Sequence, residues 1–222
     1  MKIIGHRGAK GLAPENTLKS FQKALEHKVD EIECDARVTG DGVVILEHDD
    51  LMQDHTGARH DVTSHTYQDL LGFKPELTSL DDAIKLVNKR VPLQVEIKPG
   101  VSPHPIFEVI DSFYKQGWTT NDLFVGSSDW KVLKAARLRF PDALLVVIES
   151  WSGIRAMHRC RKLRTKRISM SAWSMWPGYI RAVKNSGYEI CAYTMNNPAK
   201  VRRWRKYGLH GIFTDYPDLY QK

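Results

Sequence analysis

No run of about 18 apolar residues occurs anywhere in the 222-residue chain, so no segment reads as a membrane span. The opening MKIIGHRG reaches charge and glycine too soon for the apolar region of a secretory signal. Cysteine is scarce. Cys34, Cys160 and Cys191 are far apart and odd in number, which argues against a disulfide framework and a zinc-ligand pattern, so a reducing cytoplasm is the expected compartment. There is no Walker-type phosphate loop and no glycine-rich dinucleotide fingerprint. Nor is there a zinc finger or an RNP-type aromatic motif, so nucleic acid is not an expected partner. No linker or low-complexity segment breaks the chain, which reads as a single domain over residues 1–222.

What is present suffices for a sizeable core, with 42% hydrophobic residues. The formal charge is +7, and much of it sits in RAMHRCRKLRTKR (155–167) and VRRWRKYG (201–208). Both stretches read as solvated outer helix faces. A basic field of this kind also attracts anionic substrates, and it is compatible with contact at an anionic membrane surface.

Strand-like apolar runs alternate with helical periods almost from end to end. EIECDARV and VVILEH are separated only by TGDG. A parallel crossover needs a dozen or more residues, so these two form an antiparallel hairpin. With VVILEH set aside as the return arm, eight strands remain, near 3–6, 31–35, 93–97, 123–127, 143–148, 167–172, 188–194 and 211–214. Eight βα units in this length predict an α/β fold of the (β/α)8 TIM-barrel type, with the hairpin extending strand two. Residues 49–78 read as an irregular, reduced insertion, with His55, His60 and His65 on its loop surface. PENT (14–17) is expected to open the first helix.

In such a barrel, chemistry gathers where strands end and βα loops begin. Strand one ends in Gly5-His6-Arg7-Gly8, strand two carries Glu33 and Asp35, strand three Glu96 and Lys98, and strand eight ends in Thr214-Asp215. Buried charge costs several kcal/mol unless it is paired or bound to metal. Glu33 and Asp35 are two apart and face one side of their strand; Glu96 arrives from the neighbouring strand. Three converging carboxylates suit Mg2+ or Ca2+, with Mn2+ a further candidate. If the hairpin turns near Asp41, residues whose numbers sum to 82 or 83 face one another. His48 then returns to the level of Cys34 and Asp35, close to His6. Two histidines beside a cation fit general acid–base work, while Arg7 and Lys98 fit phosphate.

These motifs resemble one family closely. HRG followed by PENT, E-x-D, a spaced HD, E-I-K, Y-T-M-N and G-I-F-T-D-Y-P-D is similar to the pattern of the glycerophosphodiester phosphodiesterases, over nearly the whole chain. The resemblance implies a TIM barrel and a metal-dependent hydrolase that converts glycerophosphodiesters, such as glycerophosphocholine or glycerophosphoethanolamine, to an alcohol and sn-glycerol 3-phosphate. It implies His6 and His48 as the acid–base pair, Glu33, Asp35 and Glu96 as metal ligands, and Arg7 and Lys98 as phosphate-binding groups. Asn16 would support the site or simply cap the first helix, and Tyr193 would stand near the substrate pocket. A lysophospholipase D-like or sphingomyelinase D-like action on lipids is the alternative. Two departures stand out: the insertion is short, and Asp54-His55-Thr56 occupies a place where the family usually has an arginine before a threonine pair.

Overall fold

The computed structural model describes residues 1–220. In chain order its elements are β1 (Lys2–Gly5), α1 (Leu18–Glu26), β2 (Glu31–Val38), β3 (Val44–Leu46), β4 (Leu51–Gln53), β5 (Arg59–Asp61), α2 (Tyr67–Phe73), α3 (Leu80–Val87), β6 (Leu93–Ile97), α4 (Pro103–Lys115), β7 (Leu123–Ser127), α5 (Trp130–Arg139), β8 (Leu145–Glu149), α6 (Gly153–Leu163), β9 (Arg167–Ser171), α7 (Pro177–Asn185), β10 (Glu189–Tyr193), α8 (Pro198–Arg205) and β11 (Gly211–Thr214). Eight parallel strands run β1-β11-β10-β9-β8-β7-β6-β2, and β2 closes the ring on β1 through Ile4 opposite Glu31. This is the (β/α)8 barrel. The last strand is followed by a 3-10 turn, Pro217–Tyr220.

Strand alternation builds two cores. Ile32, Cys34 and Ala36 of β2, with Ile168 and Met170 of β9, join the large cluster between strands and helices. The opposite faces of the strands fill the barrel interior, where Ile4, Cys191 and Phe213 make one group and Phe124, Val146 and Ile148 another. The three cysteines are free and buried.

The barrel floor is ionic. Arg167, at the start of β9, donates from one guanidinium nitrogen to both oxygens of Glu31 at 2.9 and 2.8 Å. It also reaches Glu189 at 3.3 Å, and Lys2 pairs with Glu31. Arg167 and Glu31 are buried, and burial of this kind is tolerated only because each charge is matched.

β2 outruns the barrel rim and pairs antiparallel with β3: Ala36 opposite Leu46, Arg37 opposite Ile45 and Val38 opposite Val44. Every pair sums to 82, as the hairpin reading required. Residues 49–78 are more ordered than the irregular stretch expected. β4 and β5 form a small hairpin, and α2 carries a capping box made by Thr66 and Asp69. Ile45, Met52, Val62, Leu70 and Leu77 give the segment a small core of its own. His55 is exposed, but His60 is not loop surface. It stacks on Phe73 with ring centroids 3.8 Å apart and bonds Asp54 at 3.0 Å, and His65 meets both rings edge-on. α1 also starts later than PENT suggests, with Thr17 as its cap, accepting from the Ser20 N–H at 3.2 Å.

Candidate active site

The site is assembled at the C-terminal ends of the strands. β1 stops at Gly5, and the chain turns sharply through His6-Arg7-Gly8. A side chain at Gly5 would bring its Cβ within 2.4 Å of the Gly8 carbonyl oxygen. Gly8 itself has φ +82, and a Cβ there would meet Ser20 and Phe21 within 3 Å. The two glycines let the turn press against α1 and hold His6 and Arg7 at the barrel mouth.

Glu33 and Asp35, two apart on β2, face the interior. β6 runs alongside with Glu96 opposite Asp35. One carboxylate oxygen from each of the three lies within 4.8 Å of the others. Burial pushes Glu33 well above the usual carboxylate range, and Asp35 and Glu96 push it further. Glu96 is raised for the same reason, against the pull of Lys98. Burial acts on Asp35 too, but Lys98 and Arg7 overcome it and hold its carboxyl below the ordinary value. Glu33 Oε2 accepts the Arg7 backbone N–H at 3.0 Å, whereas its buried Oε1 has no hydrogen-bond partner among the described residues. A buried carboxylate oxygen without a partner, in an all-oxygen cluster of three acids, fits a hard divalent cation.

The cations are interleaved with the acids. Lys98, one residue past β6, sits 2.7 Å from Asp35 and 2.8 Å from Glu96. Arg7 places Nε 3.1 Å from Asp35 Oδ2 and donates from its terminal nitrogen to Glu15 at 2.7 Å. Asn16, with φ +58, turns its whole amide to Asp35: Nδ2 donates to Oδ2 at 3.0 Å and Oδ1 accepts the Asp35 N–H at 3.2 Å. The helix cap falls to Thr17 instead.

Each histidine is held through Nδ1 by an aspartate. His6 Nδ1 lies 2.7 Å from Asp215 Oδ1, and Asp215 Oδ2 accepts from Asn196 Nδ2 at 2.7 Å. Burial alone would raise Asp215, yet the bonds from His6 and Asn196 bring its carboxyl below the usual range. An ionised carboxylate only accepts, so Nδ1 is the protonated nitrogen and Nε2 of the neutral ring is left as a base. Burial lowers His6 itself, outweighing the hydrogen bond that His6 donates to Asp215, which raises it. His48 Nδ1 meets Asp49 Oδ1 at 2.7 Å at the solvent edge. Its backbone is pinned from below: Arg37 donates twice to the His48 carbonyl at 3.1 and 2.8 Å, and Glu47 Oε1 accepts the His48 N–H at 3.0 Å. Lys74, the residue that ends α2, steadies Glu47 at 2.7 Å.

His6, Arg7, Glu33, Asp35, His48, Glu96, Lys98 and Tyr193 all line one cavity of about 270 Å³. Asn16 stands behind Asp35. Tyr193 touches Ser150 at 3.1 Å through its hydroxyl and packs edge-on to Phe213. Sequence reasoning did not assign Asp215, Asn196, Arg37 or Glu47. Asp215 was visible as a strand-end acid and Asn196 within the YTMN motif, but nothing in the linear order joined either to His6.

The model of the glycerophosphoryl diester phosphodiesterase family matches residues 6–219. A glycerophosphodiester phosphodiesterase of Bacillus subtilis is 26% identical over 99% of this chain and 85% of its own length. One from Caldanaerobacter subterraneus is 23% identical over 97% and 94%. The solved phosphodiesterase of Oleispira antarctica, in complex with the product sn-glycerol-3-phosphate, superposes with a TM-score of 0.88 over 100% of this chain and 95% of its own. At 23% identity that likeness speaks to the fold.

Proposed function

The chain belongs to the glycerophosphoryl diester phosphodiesterase family, and on that premise we propose that it hydrolyses glycerophosphodiesters, glycerophosphocholine and glycerophosphoethanolamine among them, to an alcohol and sn-glycerol 3-phosphate. The observation that carries this reading is the sharing of one cavity by two aspartate-bound histidines, a carboxylate triad and two cationic side chains.

Arg7 and Lys98 receive the non-bridging oxygens of the phosphodiester. Lys98 uses two of its three N–H donors on Asp35 and Glu96, which leaves one for the substrate. His6, neutral and oriented by Asp215, takes a proton through Nε2 from the nucleophile, either water or the glycerol 2-hydroxyl. His48, nearer solvent, gives a proton to the departing alcohol oxygen as the P–O bond breaks. If the 2-hydroxyl attacks, water opens the resulting cyclic phosphate and the two histidines exchange roles. Glu33, Asp35 and Glu96 would hold a divalent cation, Mg2+, Ca2+ or Mn2+, which supplies Lewis-acid stabilisation of charge on the phosphoryl oxygens.

The lipid-cleaving alternative needs an apolar groove for an acyl tail. Among the cavity's lining residues only Ile148, Tyr193 and Phe213 are apolar or aromatic, and the rest are polar or charged. The test is a panel of glycerophosphodiesters and lysophosphatidylcholine assayed with each cation in turn. Release of glycerol 3-phosphate from the small diesters is the expected result. Turnover of lysophosphatidylcholine alone would overturn the assignment.

A further inference from the structure

The loops after β8 and β9 carry a feature that the chemistry does not use. Trp151, Ile154, Trp173 and Trp176 are 83%, 80%, 98% and 61% exposed. Large apolar side chains are seldom so open in a group. Trp176 joins the Trp151–Ile154 segment: its ring lies 5.4 Å from that of Tyr179, and Tyr179 packs over Gly153, where a Cβ would come within 2.1 Å of its ring, while Trp173 precedes Trp176 by three residues in the same loop. Gly153 stands between Trp151 and Ile154 in the chain. The patch is also continuous with the cavity mouth, because Ser150, next to Trp151, lines the cavity and bonds Tyr193.

The stretch of chain that carries this arc is one-sided in charge. From residue 150 to residue 214 there are 14 Lys and Arg and a single acidic residue, Glu189. The rest of the chain holds more acid than base. Arg167 belongs to the floor, and the basic residues on the mouth side are Arg155, Arg181, Lys200 and Arg202, within the first five residues of α6, α7 and α8. Exposed Arg155 follows Ile154 in α6 and is held by two bonds of 2.6 Å to the buried Glu149, and exposed Arg181 lies on α7. Tryptophan favours the headgroup level of a bilayer, where its ring is apolar and its N–H meets water. Basic residues beside it are drawn to anionic headgroups.

We propose that the Trp151, Ile154, Trp173 and Trp176 arc is a docking surface for an anionic lipid bilayer, which seats the barrel with its cavity mouth at the membrane. The occupant is the lipid surface itself. Trp151, Trp173 and Trp176 sit in loops and are open to solvent rather than set in a groove, and the basic residues at the starts of the neighbouring helices suit the negative surface of such a membrane. This inference is independent of the reaction assigned to the cavity.

The test is sedimentation of the full chain with vesicles of phosphatidylcholine alone and with vesicles containing phosphatidylglycerol. Binding to the anionic vesicles only, weakened by high salt, is the expected result. The combined variant Trp151→Ser, Trp173→Ser, Trp176→Ser should bind roughly tenfold or more weakly, with its turnover of a soluble diester and its melting temperature unchanged. The proposal is overturned if the wild type sediments with neither vesicle or if the combined variant binds as the wild type does. It is equally overturned if the patch instead joins two copies, seen as a dimer that the substitutions dissolve while vesicle binding is absent. Retention on single-stranded DNA without vesicle binding would likewise reject a lipid occupant.

Discussion

His6 and Asp215, 209 residues apart in the chain, meet at 2.7 Å where the last barrel strand lies beside the first. The pair exists only because the barrel closes. Asp215 fixes the tautomer of His6 and is itself held by Asn196 through both its side chain and its backbone N–H. An Asp215→Asn substitution would keep the shape but allow the ring to present the wrong nitrogen. Turnover should fall by about 10²-fold or more, with little change in KM. An Asp215→Asn enzyme of near-native kcat would remove the orienting role.

The pH profile follows from the same pair. Burial lowers His6 below its ordinary 6.5, and in the role of base proposed for it the neutral form is the active one. Turnover should therefore fall as pH drops through a point below 6.5. Stability shifts in the same direction. The unfolded chain protonates this imidazole near 6.5 and the folded chain only at lower pH, so this contribution is present above 6.5 and is lost as pH falls below it. A rate profile with its acid limb above 6.5 would contradict His6 as the base.

Removing metal should abolish turnover. Treatment with EDTA and metal-free dialysis is expected to silence the enzyme, and added Mg2+, Ca2+ or Mn2+ to restore it. Burial and mutual repulsion raise Glu33 and Glu96 above the usual carboxylate range, so protons compete with a cation for them more strongly as pH falls. Thermal stabilisation by added metal should thus grow as pH rises from acid toward neutral, and a Glu33→Gln variant should show less of it. Full activity in the metal-free protein would exclude the triad as a cation site for catalysis.

Asn16 and Thr17 are neighbours with separable roles. Thr17→Ala removes a helix cap and should cost about 1 kcal/mol, with kcat unchanged. That corresponds to roughly 2–4 °C in melting temperature for a chain of this size. Asn16→Ala leaves Asp35 without two hydrogen bonds and puts a Cβ-bearing residue with no local polar compensation at φ +58. It should lower kcat as well as stability. Equal kcat in the two variants would make Asn16 a purely structural residue.

Arg37 offers a test of positioning at a distance. Its guanidinium touches the His48 carbonyl and not the imidazole. Arg37→Met should lower kcat by about 10- to 100-fold, as expected when a reacting group is displaced slightly. KM should hold. A change in KM alone would mean that Arg37 acts on substrate binding instead.

The periodic parts of the chain were legible in advance. Eight apolar runs became eight barrel strands, and the TGDG spacing alone forced the hairpin whose register carries His48 back to the mouth. The insertion was hard to read because β4 and β5 are three residues each, too short for a period of two to stand out in the sequence. Their order depends on packing around Met52, Val62 and Phe73, which no local pattern announces. His60 looked like a surface histidine because the Phe73 it stacks on is contributed by a helix 13 residues later. α1 looked longer because Glu15 and Asn16 suit a helix, but Asn16 is diverted to Asp35. Asp215 was visible as an acid at a strand end; its partner could be known only once the first and last strands were neighbours.

The ionic floor made by Arg167, Glu31, Glu189 and Lys2 turns the barrel into a blind-ended vessel. Whatever enters past His48 and Tyr193 has no rear exit, so the phosphate-bearing product must leave by the way the substrate came. Each turnover then requires the mouth to empty before it can refill. Glycerol 3-phosphate should accordingly behave as an inhibitor competitive with the diester, and the enzyme should slow as its own product accumulates.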